Sequence, residues 1–208
     1  MGKSVTIVAM GASHSDFTSY TAINQSPGTD EVWAINAMAA AIRCDRAIIM
    51  DDLKLLIERM PGYEFVYNFD KPIITSKAYS FAPTSETYPL EEVVNHISIP
   101  YLNTTVAYAF ALAWYEGFKD IRLFGCDFTY PNAHAAESGR GNVEFLIGLA
   151  TADKVKTIIA STSTLMDMNV KRKFYGYADH IDVKIEDGRF KCVIIDKKEK
   201  VENGDQSR

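Results

Sequence analysis

Short β-branched segments alternate with helical segments along most of this sequence, and the early strand segments each end at polar or very small residues. The predicted strands cover residues 5–10, 32–35, 46–50, 120–124 and 157–160. Apolar strands that are separated by helices are typical of a parallel sheet that is covered on both faces. The sequence therefore predicts an α/β, Rossmann-like fold with a mainly parallel sheet.

The sequence also predicts helices, short strands, loops and a terminal hairpin. Helices are predicted over residues 103–117, with Asn103 as the N-cap, over 142–154, and as a short piece over 165–174. Residues 64–67 and 72–75 are interpreted as short strands. The proline-containing stretch 81–100 is interpreted as an irregular excursion over the functional site, and 128–141 as a polar loop. Residues 182–186 and 190–195 are predicted to form a C-terminal β-hairpin, with Asp187 and Gly188 at the turn.

Length and charge limit the class of protein. The chain has 208 residues and a formal net charge of −5. We expect one α/β domain over residues 1–196 and a charged, disordered tail over 197–208. The only dense basic run, 171–173, does not suggest a nucleic-acid partner. No apolar run reaches the ~20 residues of a membrane span, and no signal-peptide region precedes the first strand, so a cytoplasmic location is expected.

The three cysteines give no sign of a disulfide framework or a metal site. Cys44, Cys126 and Cys192 lie far apart in the sequence, and no pair has metal-ligand spacing. Each lies in an apolar run. We therefore expect all three to be buried, unreactive thiols.

The polar residues that follow the predicted strands converge on one edge of the sheet. Gly11 and Ser13 follow the first strand, Asn36 the second, Asp51 the third, and Asp127 a later one. Ligands of parallel sheets bind beyond the carboxyl ends of the strands. The sequence therefore predicts a site for a phosphorylated small molecule, above all a nucleotide.

Each of these motifs also has a purely structural interpretation. The turn at Gly11 to Ser13 is either a phosphate cradle or a plain tight turn, because neither a G-x-G-x-x-G nor a Walker A sequence is present. Asn103, Thr104 and Thr105 either contact a phosphate or ribose or simply cap a helix. Asp51, with its neighbour Asp52, either binds a divalent metal or caps the following helix.

A dense polar cluster lies between residues 127 and 144. Asp127, Tyr130, His134 and Arg140 are the candidate catalytic residues within it. His134 or Asp127 would act as a general base, since imidazole and carboxylate groups accept protons near neutral pH. Arg140 and Tyr130 would stabilise a leaving phosphate.

These motifs resemble a known superfamily, that of the Campylobacter-type sialyltransferases and the 6-hydroxymethylpterin diphosphokinase-like proteins. The resemblance covers roughly residues 5–165 and rests on VAMGAS, EVWAINAM, CDRAIIMDD and NTTVAYAFALAWYEGFKDIRLFGCDF. The stretches TYPNAHAAESGRGNVEFLIGLA and STSTLMD are similar to proteins of tailed bacteriophages. The first turn departs from the family's usual Gly-x-Gly-Pro-Ser. The resemblance implies nucleotide contacts at Gly11, Ser13, Asn36, Thr104, Thr105 and Asp127.

The resemblance implies a nucleotide-dependent group transferase, above all a glycosyltransferase that uses a nucleotide-sugar donor, with a divalent metal as a possible cofactor. Two alternatives stay open: a phage protein that sequesters a nucleotide without turnover, and a pterin or nucleoside diphosphokinase. For a phage-encoded chain the expected location is the host cytoplasm. A homo-oligomer is a further hypothesis, with residues 81–100 or the terminal hairpin as the contact.

Overall fold

The computed structural model describes residues 2–170, 181–187 and 189–194. The chain divides into two compact units, Met1–Asn169 and Val170–Arg208. The predicted limits of a single domain at residue 196 and of a tail beyond it stay predictions, since residues 195–208 lie outside the described ranges.

The first unit is built on a seven-stranded sheet in which every neighbouring pair is parallel. The strand order is β5-β4-β3-β2-β1-β6-β7. The predicted α/β, Rossmann-like fold is therefore confirmed. The strands are β1 (Ser4–Val8), β2 (Glu31–Ile35), β3 (Arg46–Ile48), β4 (Ile73–Thr75), β5 (Ser85–Thr87), β6 (Asp120–Phe124) and β7 (Lys156–Ile159).

Helices cover both faces of this sheet. The helices are α1 (His14–Asn24), α2 (Met38–Ala41), α3 (Leu53–Arg59), α4 (Leu90–Ile97), α5 (Thr105–Tyr115) and α6 (Ala133–Ala152). The first three pack in one apolar cluster and the last three in another. The alanine-rich α5 is buried over nearly its whole length, because it lies between the sheet, α4 and α6.

Two sequence predictions in the middle of the chain are wrong. Residues 64–67 form a 3₁₀ helix, Glu64–Tyr67, and not a strand. Periodicity cannot distinguish the two for so short an apolar run. Residues 81–100 are not irregular, because they contain β5 and α4. Pro89 is the N-cap residue of α4, so this proline marks the start of a helix and not an irregular segment.

The predicted polar loop 128–141 is also shorter than expected. Helix α6 begins at Ala133, and Asn132 caps it by accepting a hydrogen bond from the Ala135 amide (3.1 Å). Gly139 and Gly141 lowered the helix propensity of this stretch. The predicted helical piece 165–174 is a 3₁₀ helix, Leu165–Asp167, and its last residues lie outside the described ranges.

The second unit contains the predicted hairpin. Strands β8 (Ile181–Glu186) and β9 (Arg189–Ile194) pair antiparallel, which confirms that prediction. Cys192 on β9 is exposed, so the expectation of a buried thiol is wrong there; Cys126 is buried and Cys44 is half-buried. Among the described residues, no helix has both the length and the apolar character to cross a membrane.

Candidate functional site

A cleft of about 700 Å³ opens at the carboxyl ends of the central strands. Strand β1 lies between β2 and β6. The chain adds β2 to β5 on one side of β1 and then crosses over to add β6 and β7 on the other side, so the strand order reverses at β1. Open α/β sheets bind ligands at such a switch point, and the volume suits a small-molecule ligand. The cleft is lined by residues 9–12, 35–36, 50–51, 102–106, 108 and 125–130.

The turn after β1 is tied to the end of β6 by a buried hydrogen-bond network. Asp127 accepts from the Ser13 amide (2.7 Å) and from the Ser13 hydroxyl (2.5 Å), so both of its carboxylate oxygens are engaged. The Gly125 amide donates to Ser13 Oγ (2.9 Å). Asp127 and Ser13 are only 4% and 2% exposed. The carboxylate of Asp127 therefore holds the floor of the cleft together.

Two glycines are required in this network. A Cβ on Gly11 would lie 2.6 Å from both Asp127 Oδ2 and Gly125 O. Gly125 has a φ of +69°, and a Cβ there would lie 2.1 Å from Ala9 O. Close approach of the two strand ends thus explains both glycines.

The same turn offers few free amides to an anion. The amide of Gly11 donates to Gly125 O (2.8 Å), and that of His14 donates to Gly11 O (3.0 Å). The Ser13 amide is held by Asp127. Gly11 lines the cleft and Ser13 does not. The predicted ligand contacts of both residues stay predictions.

The start of α5 is the open anion-binding position. Thr104 is the N-cap, in place of the predicted Asn103, and its Oγ1 accepts from the Ala107 amide (3.1 Å). The Thr105 and Val106 amides have no acceptor among the described residues. The start of a helix also carries about half a positive charge. Thr104, Thr105 and Val106 all line the cleft, so this end can receive a phosphate.

Helix α6 fixes this position through residues that the sequence analysis missed. Asn142 is fully buried, accepts from the Asn103 amide (2.9 Å) and donates to Tyr101 O (2.8 Å). The Asn103 side chain donates to Ser138 Oγ (2.8 Å). The sequence held one signal of this role, because Asn142 is a single amide side chain among the small and apolar residues on the buried face of α6. A Cβ on Gly139 would lie 2.9 Å from the Phe128 ring and from Thr104, so the glycine allows the close packing.

Asn36 and Asp51 line the cleft at the ends of β2 and β3. Asn36 has a φ of +54°, and its buried Oδ1 has no hydrogen-bond partner among the described residues. Asp51 is exposed, whereas Asp52 caps α3 by accepting from the Lys54 amide (2.9 Å). The capping alternative is thus confirmed for Asp52. No group of three potential metal ligands occurs within the described ranges, and the metal role of Asp51 stays a prediction.

Aromatic residues close the cleft next to β6. Phe128 and Tyr130 meet edge to face, with ring centroids 6.1 Å apart. Tyr130 is 51% exposed. Partial burial raises the pKa of its phenol, and the nearby Cys126 adds to the rise. The phenol is therefore protonated near neutral pH and can donate a hydrogen bond. Burial also raises the pKa of the Cys126 thiol, which is consistent with an unreactive cysteine.

His134 and Arg140 do not line this cleft. His134 is exposed in the first turn of α6. Arg140 donates to Glu144 (2.8 Å) and to Asp167 (2.8 Å), and its hydrogen bond to the Glu144 carboxylate is the main reason that the arginine pKa is raised. Glu144 also accepts from the Met166 amide (2.7 Å). The Arg140 side chain thus holds the 3₁₀ helix Leu165–Asp167 against α6, and the catalytic roles of both residues stay predictions.

Comparisons with known proteins place the fold among solved structures. No protein-family model matches the chain, and no curated protein matches it. The sialyltransferase CstII from Campylobacter jejuni, solved with the substrate analogue CMP-3FNeuAc, matches with a TM-score of 0.53 and 17% identity over 80% of this chain and 83% of that chain.

Two further structures agree with this result. CstII from the same organism with cytidine-5'-monophosphate matches with a TM-score of 0.50 and 18% identity, over 78% of this chain and 82% of that chain. A point variant of the alpha-2,3/8-sialyltransferase CstII gives 0.54 and 17% identity, over 78% and 84%. At such identities the likeness establishes a shared α/β architecture and nothing about activity.

Proposed function

We propose that this chain is a nucleotide-dependent group transferase, a glycosyltransferase whose nucleotide-sugar donor binds in the cleft at the carboxyl ends of β1, β2, β3 and β6. The observation that carries the proposal is the open start of α5 inside this cleft. Structures of similar fold were solved with CMP and with a CMP-sugar analogue, which supports a donor of this class.

The phosphate of the donor lies at the start of α5. There the Thr105 and Val106 amides donate to its oxygens, and the helix dipole favours its negative charge. The nucleoside extends toward Asn36 and Asp51, at the ends of β2 and β3. Both residues line the cleft there, and their side chains can form hydrogen bonds with the base or with sugar hydroxyls.

Transfer follows from this placement. A hydroxyl of the acceptor attacks the anomeric carbon of the donor sugar, a new C–O bond forms, and the bond from that carbon to the phosphate oxygen breaks. The electron pair leaves with the nucleotide, and Tyr130 donates a hydrogen bond to the departing phosphate. His134 or Asp127 is proposed to accept the hydroxyl proton, and Arg140 to assist the leaving group.

One observation favours a second candidate, a protein that binds a nucleotide without turnover. Among the described residues, the cleft is lined by no histidine, lysine or arginine. Both oxygens of Asp127 are engaged by Ser13, so this carboxylate has a structural role in the floor of the cleft. A sequestering protein needs the phosphate contacts alone. Phage origin would fit this candidate as well as the first.

A proline substitution isolates the phosphate contact. Thr105 is the first residue of α5, where proline is tolerated, and Thr104 before it has φ −143° and ψ 151°, which a following proline also requires. Thr105→Pro removes one free amide and preserves the helix. Thr105→Ala is the matched control, since it removes the side chain and keeps the amide.

Calorimetry with CMP and a panel of nucleoside mono-, di- and triphosphates measures the effect. We expect Thr105→Pro to weaken binding by roughly tenfold or more, the value of one charge-assisted hydrogen bond, while Thr105→Ala binds much as the original chain does. Unchanged affinity in Thr105→Pro would place the phosphate elsewhere.

Product analysis separates the candidate functions. Mass spectrometry after incubation with nucleotide sugars and acceptor glycans detects a transferred sugar if the chain is a glycosyltransferase. A bound nucleotide that is recovered intact with every acceptor indicates sequestration. Release of AMP that depends on a divalent ion indicates a diphosphokinase.

A further inference from the structure

A second cavity, of about 870 Å³, opens at the amino ends of the strands, opposite to the first cleft. It lies between the last turns of α1 and the segments that lead into β2, β3 and β4, where these strands begin. None of its lining residues lines the cleft described above. The cavity is therefore a separate site.

The walls of the cavity are apolar and firmly packed. Phe17 and Val32 are each 5% exposed and belong to the apolar cluster that α1, α2 and α3 share. Phe69 packs against that cluster and meets the ring of Phe65 edge to face, with centroids 5.5 Å apart. Ile42 and Pro27 complete the apolar lining. Such walls suit a flat or branched apolar body.

Two cations border these apolar walls. Arg43 is exposed and forms no ion pair within the part of the chain that the structure describes. Among the described residues, Lys71 forms an ion pair with its neighbour Asp70 alone (3.4 Å), and both of these side chains are well exposed. One oxygen of Asp45, the other nearby acid, is engaged by the Val32 amide (2.8 Å). A free guanidinium beside an apolar cavity is suited to a carboxylate, sulfonate or phosphate.

We propose that this cavity is a second binding site, for a small amphipathic acid whose apolar body packs against Phe17 and Phe69 and whose acidic group is bound by Arg43. This ligand class differs from the nucleotide of the first cleft, because that cleft offers helix amides and, in the part of the chain that the structure describes, no cationic side chain. Helix α1 connects the two sites, since its N-cap Ser13 bonds to Asp127 below the cleft and its C-cap Gln25 lines the cavity.

The aromatic sulfonate 8-anilinonaphthalene-1-sulfonate serves as the probe, with fluorescence titration of the full chain as the measurement. We expect Arg43→Gln to weaken binding on the order of fivefold, because one charge-assisted contact at an exposed position is lost. Arg59→Gln is the matched control, an exposed arginine on α3 that lines neither cavity. The uncharged analogue N-phenyl-1-naphthylamine is expected to bind equally to the original chain and to Arg43→Gln.

Thiol labelling locates the probe independently. Cys44 lines the cavity and is half-buried, whereas Cys126 is fully buried. In a Cys192→Ser background, labelling therefore reports on Cys44, and the sulfonate is expected to slow it severalfold. Excess CMP and the Thr105→Pro substitution should leave this protection unchanged. Equal binding by Arg43→Gln and the original chain, or labelling of Cys44 that the probe does not slow, would overturn the proposal.

Discussion

The pairing of Asp127 with Ser13 yields the most direct test of how this cleft is built. The two residues are 114 positions apart in the sequence and form two buried hydrogen bonds, of 2.7 and 2.5 Å. Asp127→Ala would leave the amide and the hydroxyl of Ser13 without an acceptor. Each unsatisfied buried donor costs about 1–3 kcal/mol, so the free energy of unfolding should fall by roughly 2–5 kcal/mol.

Urea unfolding followed by circular dichroism measures this change. For a chain of this size the same loss lowers Tm by roughly 4–20 °C. A double-mutant cycle with Ser13→Ala should give a coupling energy of about 1 kcal/mol or more, because the two side chains contact each other directly. Asp51→Ala is the matched control, a carboxylate in the same cleft that is exposed and should change stability by only about 0.5 kcal/mol or less.

The outcome also separates a structural role of Asp127 from a catalytic one. If Asp127 acts only as a general base, Asp127→Ala loses turnover while its unfolding free energy stays within about 0.5 kcal/mol of the original value. That result would refute the structural argument. We expect instead that stability and nucleotide affinity fall together, since the variant no longer ties the turn after β1 to the end of β6.

Three further outcomes are expected. Gly139→Ala should weaken nucleotide binding and should not raise the free energy of unfolding, because its Cβ would press on Thr104 and Phe128. Gly141→Ala is the control in the same helix, since its Cβ meets nothing within 4 Å, and it should raise the free energy of urea unfolding by about 0.5–1 kcal/mol. Asn142→Ala should cost about 1–3 kcal/mol in the same assay, because the buried Asn142 side chain loses its two hydrogen bonds to the backbone of Asn103 and Tyr101. In a Cys192→Ser background the labelling rate of Cys44 should rise about tenfold per pH unit from pH 8 to pH 10, since burial raises its pKa to about 11 and only the thiolate reacts. A plateau near pH 8.5 would contradict the last expectation.

The sequence was sufficient to predict the sheet and the edge of the sheet at which the cleft lies. Strand ends such as Asn36 and Asp51 could be predicted to converge, because parallel strands place their carboxyl ends together. The helix start at Thr104 and Thr105 was identified from its capping signal, although the N-cap is Thr104 and not the predicted Asn103. Local sequence was thus enough to predict the location of residues that lie at the end of a strand or at the start of a helix.

Long-range packing was the part that local sequence could not supply. Nothing near Asp127 indicates that Ser13 occupies both of its oxygens, because the partner is a hundred residues away. The two glycines near residue 140 lowered the helix propensity of that stretch, yet Gly139 is needed for contact with Thr104. His134 and Arg140 were predicted to lie in a loop, whereas both belong to α6 and neither lines the cleft.

The central position of β1 has a consequence for synthesis of the chain on the ribosome. Strand β1 pairs with β2 on one side, but its other edge pairs with β6, which begins only at Asp120. At about 5–20 residues per second, the ribosome needs roughly 6–23 s to produce the chain between these two strands. During that interval an apolar strand edge has no partner and can associate with other nascent chains. A trigger-factor-like chaperone bound to the first hundred residues would shield this edge until β6 emerges.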